Sequence, residues 1–145
     1  MKRKKLICFI LCLSAAASSF LLTGCAGDKP EEGPVINPVD ITISIDYPAR
    51  SEMEDVEAVP FTIEENSSVL EAIQLYCNVN EMPVTVETTY GTVVGINDLL
   101  NGDIFARRTW QFKINGQLRD EPAGEVILKD GDSLEWVYEK AETAD

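Results

Sequence analysis

Val39, Ile41, Ile43, Ile45 and Tyr47 alternate with Asp40, Thr42, Ser44 and Asp46, the period of a strand with one buried and one wet face. Pro48 stops that strand. An acidic run at 51–57 (Glu52, Glu54, Asp55, Glu57) reads as an exposed loop, after which Val59, Phe61 and Ile63 resume the alternation. The run has no turn glycine, so it lacks the pattern of a calcium loop. Ser68 and Glu71 form a capping box, and Val69, Leu70, Ile73 and Cys77 recur at helical spacing, which predicts a helix over 69–78. Cys77 falls on the apolar stripe, where a thiol behaves as a small buried hydrophobe.

Short strands follow at 83–89, with Val84 and Val86, and at 91–96, with Val94 and Ile96; Asn101-Gly102-Asp103 makes a turn. Trp110, Phe112 and Ile114 then alternate with Gln111 and Lys113. Asn115-Gly116 is a strong two-residue hairpin signal, and Leu118 starts the returning strand. Lys129-Asp130-Gly131-Asp132 turns the chain into a last strand in which Leu134, Trp136 and Tyr138 share a face. Short strands broken by turns and one helix predict an antiparallel-rich α+β domain, its helix packed on a twisted sheet, over 39–140 with a short tail at 141–145. No solenoid repeat is visible.

The start of the chain follows a different logic. Lys2-Arg3-Lys4-Lys5 precedes a mostly apolar run from Leu6 to Leu22, and Leu22-Thr23-Gly24-Cys25 closes it with small residues before a cysteine. That order reads as a secretory signal over 1–24. Its end resembles the lipobox of bacterial lipoproteins, which implies diacylation of Cys25 and cleavage before it. An uncleaved membrane anchor, or an ordinary signal in which Cys25 is incidental, are the alternatives. Pro30, Pro34 and Pro38, spaced among Gly27, Gly33 and charged residues, make 25–38 a tether between lipid and domain.

Charge narrows the partners. The chain carries 25 acidic against 12 basic side chains, and removal of the basic start would leave eight of the latter, a balance of −17. Such a field repels a phosphate backbone, which excludes nucleic acid and broad attachment to anionic lipid. There is no histidine. Ser-His-Asp and Cys-His nucleophile systems and His-Glu-x-x-His zinc sites are thereby removed; paired carboxylates of the kind that hydrolyse sugars remain open in principle, but in so acidic a chain their proximity carries almost no information, and no catalytic or metal-binding residues are expected.

Gly91-Thr92-Val93-Val94-Gly95-Ile96-Asn97, Thr109-Trp110-Gln111-Phe112-Lys113-Ile114-Asn115-Gly116, Lys129-Asp130-Gly131-Asp132 and Leu134-Glu135-Trp136-Val137-Tyr138 resemble, in order and spacing, the DUF4430 or transcobalamin-like C-terminal domain. The resemblance runs from about Ile41 to Tyr138 and includes Ser68-Val69-Leu70-Glu71-Ala72. In the vertebrate cobalamin carriers that share it, this domain is the smaller, β-rich half of a clamp on the ligand. The resemblance thus implies ligand contacts from Trp110 and Gln111 on the strand and from Leu118, Glu121, Pro122, Ala123 and Gly124 beyond it. The large helical half of the clamp is absent here. By alternation alone, Trp110, Phe112, Leu134, Trp136 and Tyr138 are core positions.

The expected function is a lipid-anchored protein on the outer face of a bacterial membrane, binding cobalamin or another corrinoid without chemical change, beside a membrane importer. The other reading is an interaction module, a spacer or adhesion unit that recognises a protein or wall polymer through an apolar patch beside a sheet edge.

Overall fold

A computed structural model describes residues 37–140. The signal stretch, Cys25 and nearly all of the proline-rich segment lie outside the described residues, as does the tail 141–145. The chain order is β1 (Pro38–Asp46), a 3₁₀ turn (Ala49–Ser51), β2 (Val56–Glu64), α1 (Val69–Val79), β3 (Val84–Glu87), β4 (Thr92–Ile96), β5 (Leu99–Leu100), β6 (Arg108–Ile114), β7 (Gln117–Leu118) and β8 (Ser133–Lys140). They form a five-stranded sheet in the order β2-β1-β8-β6-β7 and a separate three-stranded sheet, β3-β4-β5. The α+β, largely antiparallel class expected from the sequence is the one observed, with two sheets in place of one.

The two ends of the domain meet at its centre. β1 lies parallel to β8, with Ile43 opposite Leu134 and Ile45 opposite Trp136. β8 also pairs antiparallel with β6, so Trp136 faces Phe112 and Leu134 faces Ile114. Because side chains alternate across a sheet, these registers put Ile43, Ile45, Leu134, Trp136, Tyr138, Trp110, Phe112 and Ile114 on one face, all of them buried. Trp110 adds edge-on contacts to Tyr47 and Tyr138, with ring centroids 5.6 and 5.4 Å away.

β2 forms an outer edge. It starts at Val56, so the acidic run ends inside a strand and the loop is shorter than its composition predicts. The register slips between Ile43 and Ile45, where Ala58 takes a positive φ of 43° and its amide donates to Ser44 Oγ at 2.9 Å. That bulge turns the strand outward, and Ile63 is buried while Val59 is exposed.

α1 starts at the expected residue and runs one residue further. Glu71 N donates to Ser68 Oγ at 3.2 Å and Ser68 N donates to Glu71 Oε2 at 2.8 Å, the reciprocal bonds of the capping box. Val69, Ala72, Ile73, Tyr76 and Cys77 join the same core as the sheet face, and Tyr76 meets Phe61 edge-on at 5.3 Å. No helix among the described residues is long and apolar enough to cross a membrane.

Leu134 sits between β1 and β6 with none of its surface exposed. Leu134→Ala should therefore cost about 2–5 kcal/mol, seen as a lower urea midpoint at unchanged slope; a loss below about 1 kcal/mol would contradict the register. The capping box has a signature in pH. The bonds from Ser68 hold the Glu71 carboxyl below its usual value. Its stabilisation is then complete above the unfolded-state pKa and is lost as pH falls through the folded one. Glu71→Gln should lower stability at about pH 7 and have much less effect near pH 3. Equal effects at both values would mean that the carboxylate charge is irrelevant to the cap.

Candidate functional site

The edge of β6 that faces away from β8 has an uneven set of partners. Asn115 and Gly116, at φ 52° and 78°, make the tight turn that starts β7, as the dipeptide predicts. β7 lasts only two residues. After Arg119 N donates to Phe112 O at 3.1 Å, the chain leaves the sheet for the start of α1. There Ala123 O accepts from Leu70 N at 3.0 Å and Val126 O from Val69 N at 2.9 Å, which satisfies amides at the helix start. At the other end of β6, Gly102 N donates to Arg108 O at 3.0 Å and Trp110 N donates to Asn101 Oδ1 at 2.8 Å. Between these caps, the Trp110 carbonyl and the Phe112 amide have no hydrogen-bond partner among the described residues.

A cleft of about 220 Å³ opens at this gap. Trp110, Gln111, Phe112 and Trp136 line it from the main sheet, and Thr92 and Val93 from β4. The remaining wall is the departing chain, from Arg119 to Ala123. A larger depression of about 550 Å³ shares that wall, lined by Ile114, Val126 and Ile127 together with Glu125, Lys129 and Asp132. Arg119 and Glu121 border both. Their side chains pair through Nη2–Oε1 at 2.7 Å and Nε–Oε2 at 3.1 Å, which holds the Glu121 carboxyl down at about 2. Arg119 is partly open to solvent and Glu121 is exposed, so the pair is a weak latch on the wall.

Five of the seven residues that the sequence resemblance assigns to ligand contact, Trp110, Gln111, Glu121, Pro122 and Ala123, come together in the cleft. Leu118, half-buried in β7, and the exposed Gly124 lie outside its lining. Gln111 needs a correction of detail. The period of two places its side chain on the opposite face from Trp110, where Nε2 donates to Glu139 O at 3.2 Å. It is the main chain of β6 that offers polar groups to the cleft. Sequence reasoning missed Thr92 and Val93, because nothing local tells which strand the second sheet lays beside β6. It treated Phe112 and Trp136 as core; they are both core and floor.

Burial pushes the Cys77 thiol up to about 11, so it is not a thiolate near neutral pH. No group of metal-ligating side chains is found among the described residues.

The family model described as a domain of unknown function (DUF4430) matches residues 66–140, from the turn before α1 to the end of β8. The chain belongs to the DUF4430 family. Among solved structures, the DUF4430 chain is similar to haptocorrin in complex with Cbi, at 17% identity and a TM-score of 0.59. That match covers 73% of this chain and 26% of haptocorrin, so the chain spans about a quarter of its relative's length. A Ruminococcus gnavus protein described as a metal binder matches at 13% identity over 74% of this chain and 100% of its own, with a TM-score of 0.46. No curated protein matches. The fold of the DUF4430 domain is therefore that of one part of haptocorrin, which is the transcobalamin-like likeness expected from the motifs.

Proposed function

We propose that this domain binds, without changing it chemically, a flat ligand rimmed with amide groups, of which cobalamin or another corrinoid is the concrete case. The observation that carries the reading is the coincidence of three things at one place. They are the residues matched by the family resemblance, the cleft, and a sheet edge with one free carbonyl and one free amide. The haptocorrin-like fold supports it.

Size limits the mode of binding. Sites that enclose a small molecule measure roughly 300–1,000 Å³, and the cleft offers about 220 Å³. Only the rim of a corrin-sized ring enters, and its faces stay open to solvent or to a partner such as a membrane importer. Affinity should then fall below that of two-domain carriers that close over the ring. A non-catalytic role accords with a chain without histidine whose described thiol is buried and protonated. The same open stretch would also accept one residue of an extended peptide, which keeps the interaction module as the second reading.

Calorimetry with cobinamide and with cobalamin should give saturable binding tighter than about 1 mM, equivalent to −4.1 kcal/mol. Thr92→Phe, which places a ring at the cleft mouth, should weaken it at least about tenfold while thermal unfolding stays cooperative. Absence of saturable binding at millimolar ligand, for the protein alone and with candidate importers, would move the assignment to peptide or polymer recognition.

We further propose that the protein is held at the outer face of a bacterial membrane through lipid on Cys25, on the strength of the basic, apolar and small-residue order before that cysteine. Cys25→Ser removes the acylated sulfur, so incorporation of labelled fatty acid and partition into the detergent phase should both disappear. Partition that survives the substitution would instead indicate an uncleaved apolar anchor.

A further inference from the structure

Two buried side-chain polar atoms lack a hydrogen-bond partner among the described residues, Tyr47 Oη and Trp136 Nε1. Tyr47 has a local account: burial pushes its phenol up to about 12, while Asn97 stands near enough to offset part of this without reaching hydrogen-bond geometry. It lines neither depression. Trp136 is different, because it is 2% exposed and forms part of the cleft floor.

Its neighbours make the exception sharper. Trp110 Nε1 donates to Leu99 O at 2.7 Å, and Tyr138 Oη donates to Leu100 O at 3.0 Å. Tyr47 Oη aside, the polar tips around Trp136 in this aromatic cluster are satisfied by main chain. An orphaned buried donor costs about 1–3 kcal/mol, and a position needing apolar bulk alone is served by phenylalanine, as at Phe112 opposite.

We propose that the Trp136 indole N–H is a ligand-recognition donor, and that with the Phe112 amide and the Trp110 carbonyl it forms a subsite for a neutral carboxamide. Two donors and one acceptor complement a group that both accepts and donates. A carboxylate matches worse. It has nothing to give the Trp110 carbonyl, the wall beside it carries Asp120 and Glu121, and Arg119 is already paired. The whole chain is also strongly acidic, at −13. Nε1 is out of solvent contact in this arrangement, so a ligand reaches it only with local movement of the cleft lining. Its outer wall is tied by the surface latch between Arg119 and Glu121 and by a main-chain bond from Glu125 N to Pro122 O at 2.9 Å. This inference names the chemical group recognised at the site of the proposed function and rests on that reading for its natural ligand.

The chain contains two tryptophans, so a ¹⁵N spectrum of the full chain shows two indole N–H signals, and the one bonded to Leu99 O is an internal reference. Titration with cobinamide, and separately with propionamide, should move the Trp136 signal and slow its hydrogen exchange, with Trp110 much less affected. Propionate should do neither. Trp136→Phe identifies the signal by its loss and should weaken cobinamide binding about threefold to tenfold; the wild-type titration stands alone should that variant fail to fold. A Trp136 signal that stays still while calorimetry shows cobinamide bound would overturn the subsite and leave the ligand reading in place. Movement with propionamide but no cobinamide binding would support the subsite and remove the corrinoid. Silence toward both would end both, and an equal response to propionate would overturn the carboxamide preference.

Discussion

The parallel pairing of β1 with β8 is the constraint on which the rest depends. It joins strands from the two ends of the domain, so every intervening element must be threaded before it can close. The loop-closure entropy is recovered in one place, where Ile43, Ile45, Leu134 and Trp136 are removed from water together. With β1 and β8 in the middle, β2 and β6 are pushed outward. The position of the cleft on the outer edge of β6 follows from that order and needs no special local sequence.

What was legible in the sequence is what short-range chemistry determines. The Ser68–Glu71 box, the Asn115-Gly116 turn and the alternation through β1, β6 and β8 name their own structures, because caps, positive-φ turns and half-buried strands depend on neighbours within a few residues. β5 was not legible, since two residues carry no period. Its turn, Asn97-Asp98 at φ 52° and 63°, was nonetheless a hairpin signal of the same kind as Asn115-Gly116. Leu118 illustrates the opposite limit: the returning strand begins one residue before it, at Gln117 directly after the turn, but where it stops is decided by the distant start of α1, whose amides draw Ala123 and Val126 away.

The candidate site was half legible for the same reason. Glu121, Pro122 and Ala123 could be marked through family resemblance, and the structure gathers them against Trp110. The groups proposed to give the cleft its chemistry are a carbonyl and an amide of the main chain and an indole N–H, and their distinction is a missing partner among the described residues. A missing partner is a property of the assembled fold. No residue pattern could have disclosed it, whereas the face occupied by Gln111 follows from the strand period itself.

The two edges of the large sheet show how such a site can exist without hazard. An unpaired strand invites other strands to add to it, and β2 is guarded by Pro60, which has no amide to offer, and by the bulge at Ala58. β6 is guarded differently. Asn101 and Gly102 cap one end, and the two-residue β7 with Arg119 caps the other, so only the stretch from Trp110 to Phe112 remains open. That is too short to template a long partner strand, yet it leaves one acceptor and one donor above an aromatic floor. An edge closed this nearly, and left open only where a cleft and an orphaned indole coincide, is better explained by a small ligand's amide than by a second sheet. The same brevity favours a corrinoid rim over an adhesive peptide, since a peptide strand gains its affinity by repeating main-chain bonds along an edge that is not available here.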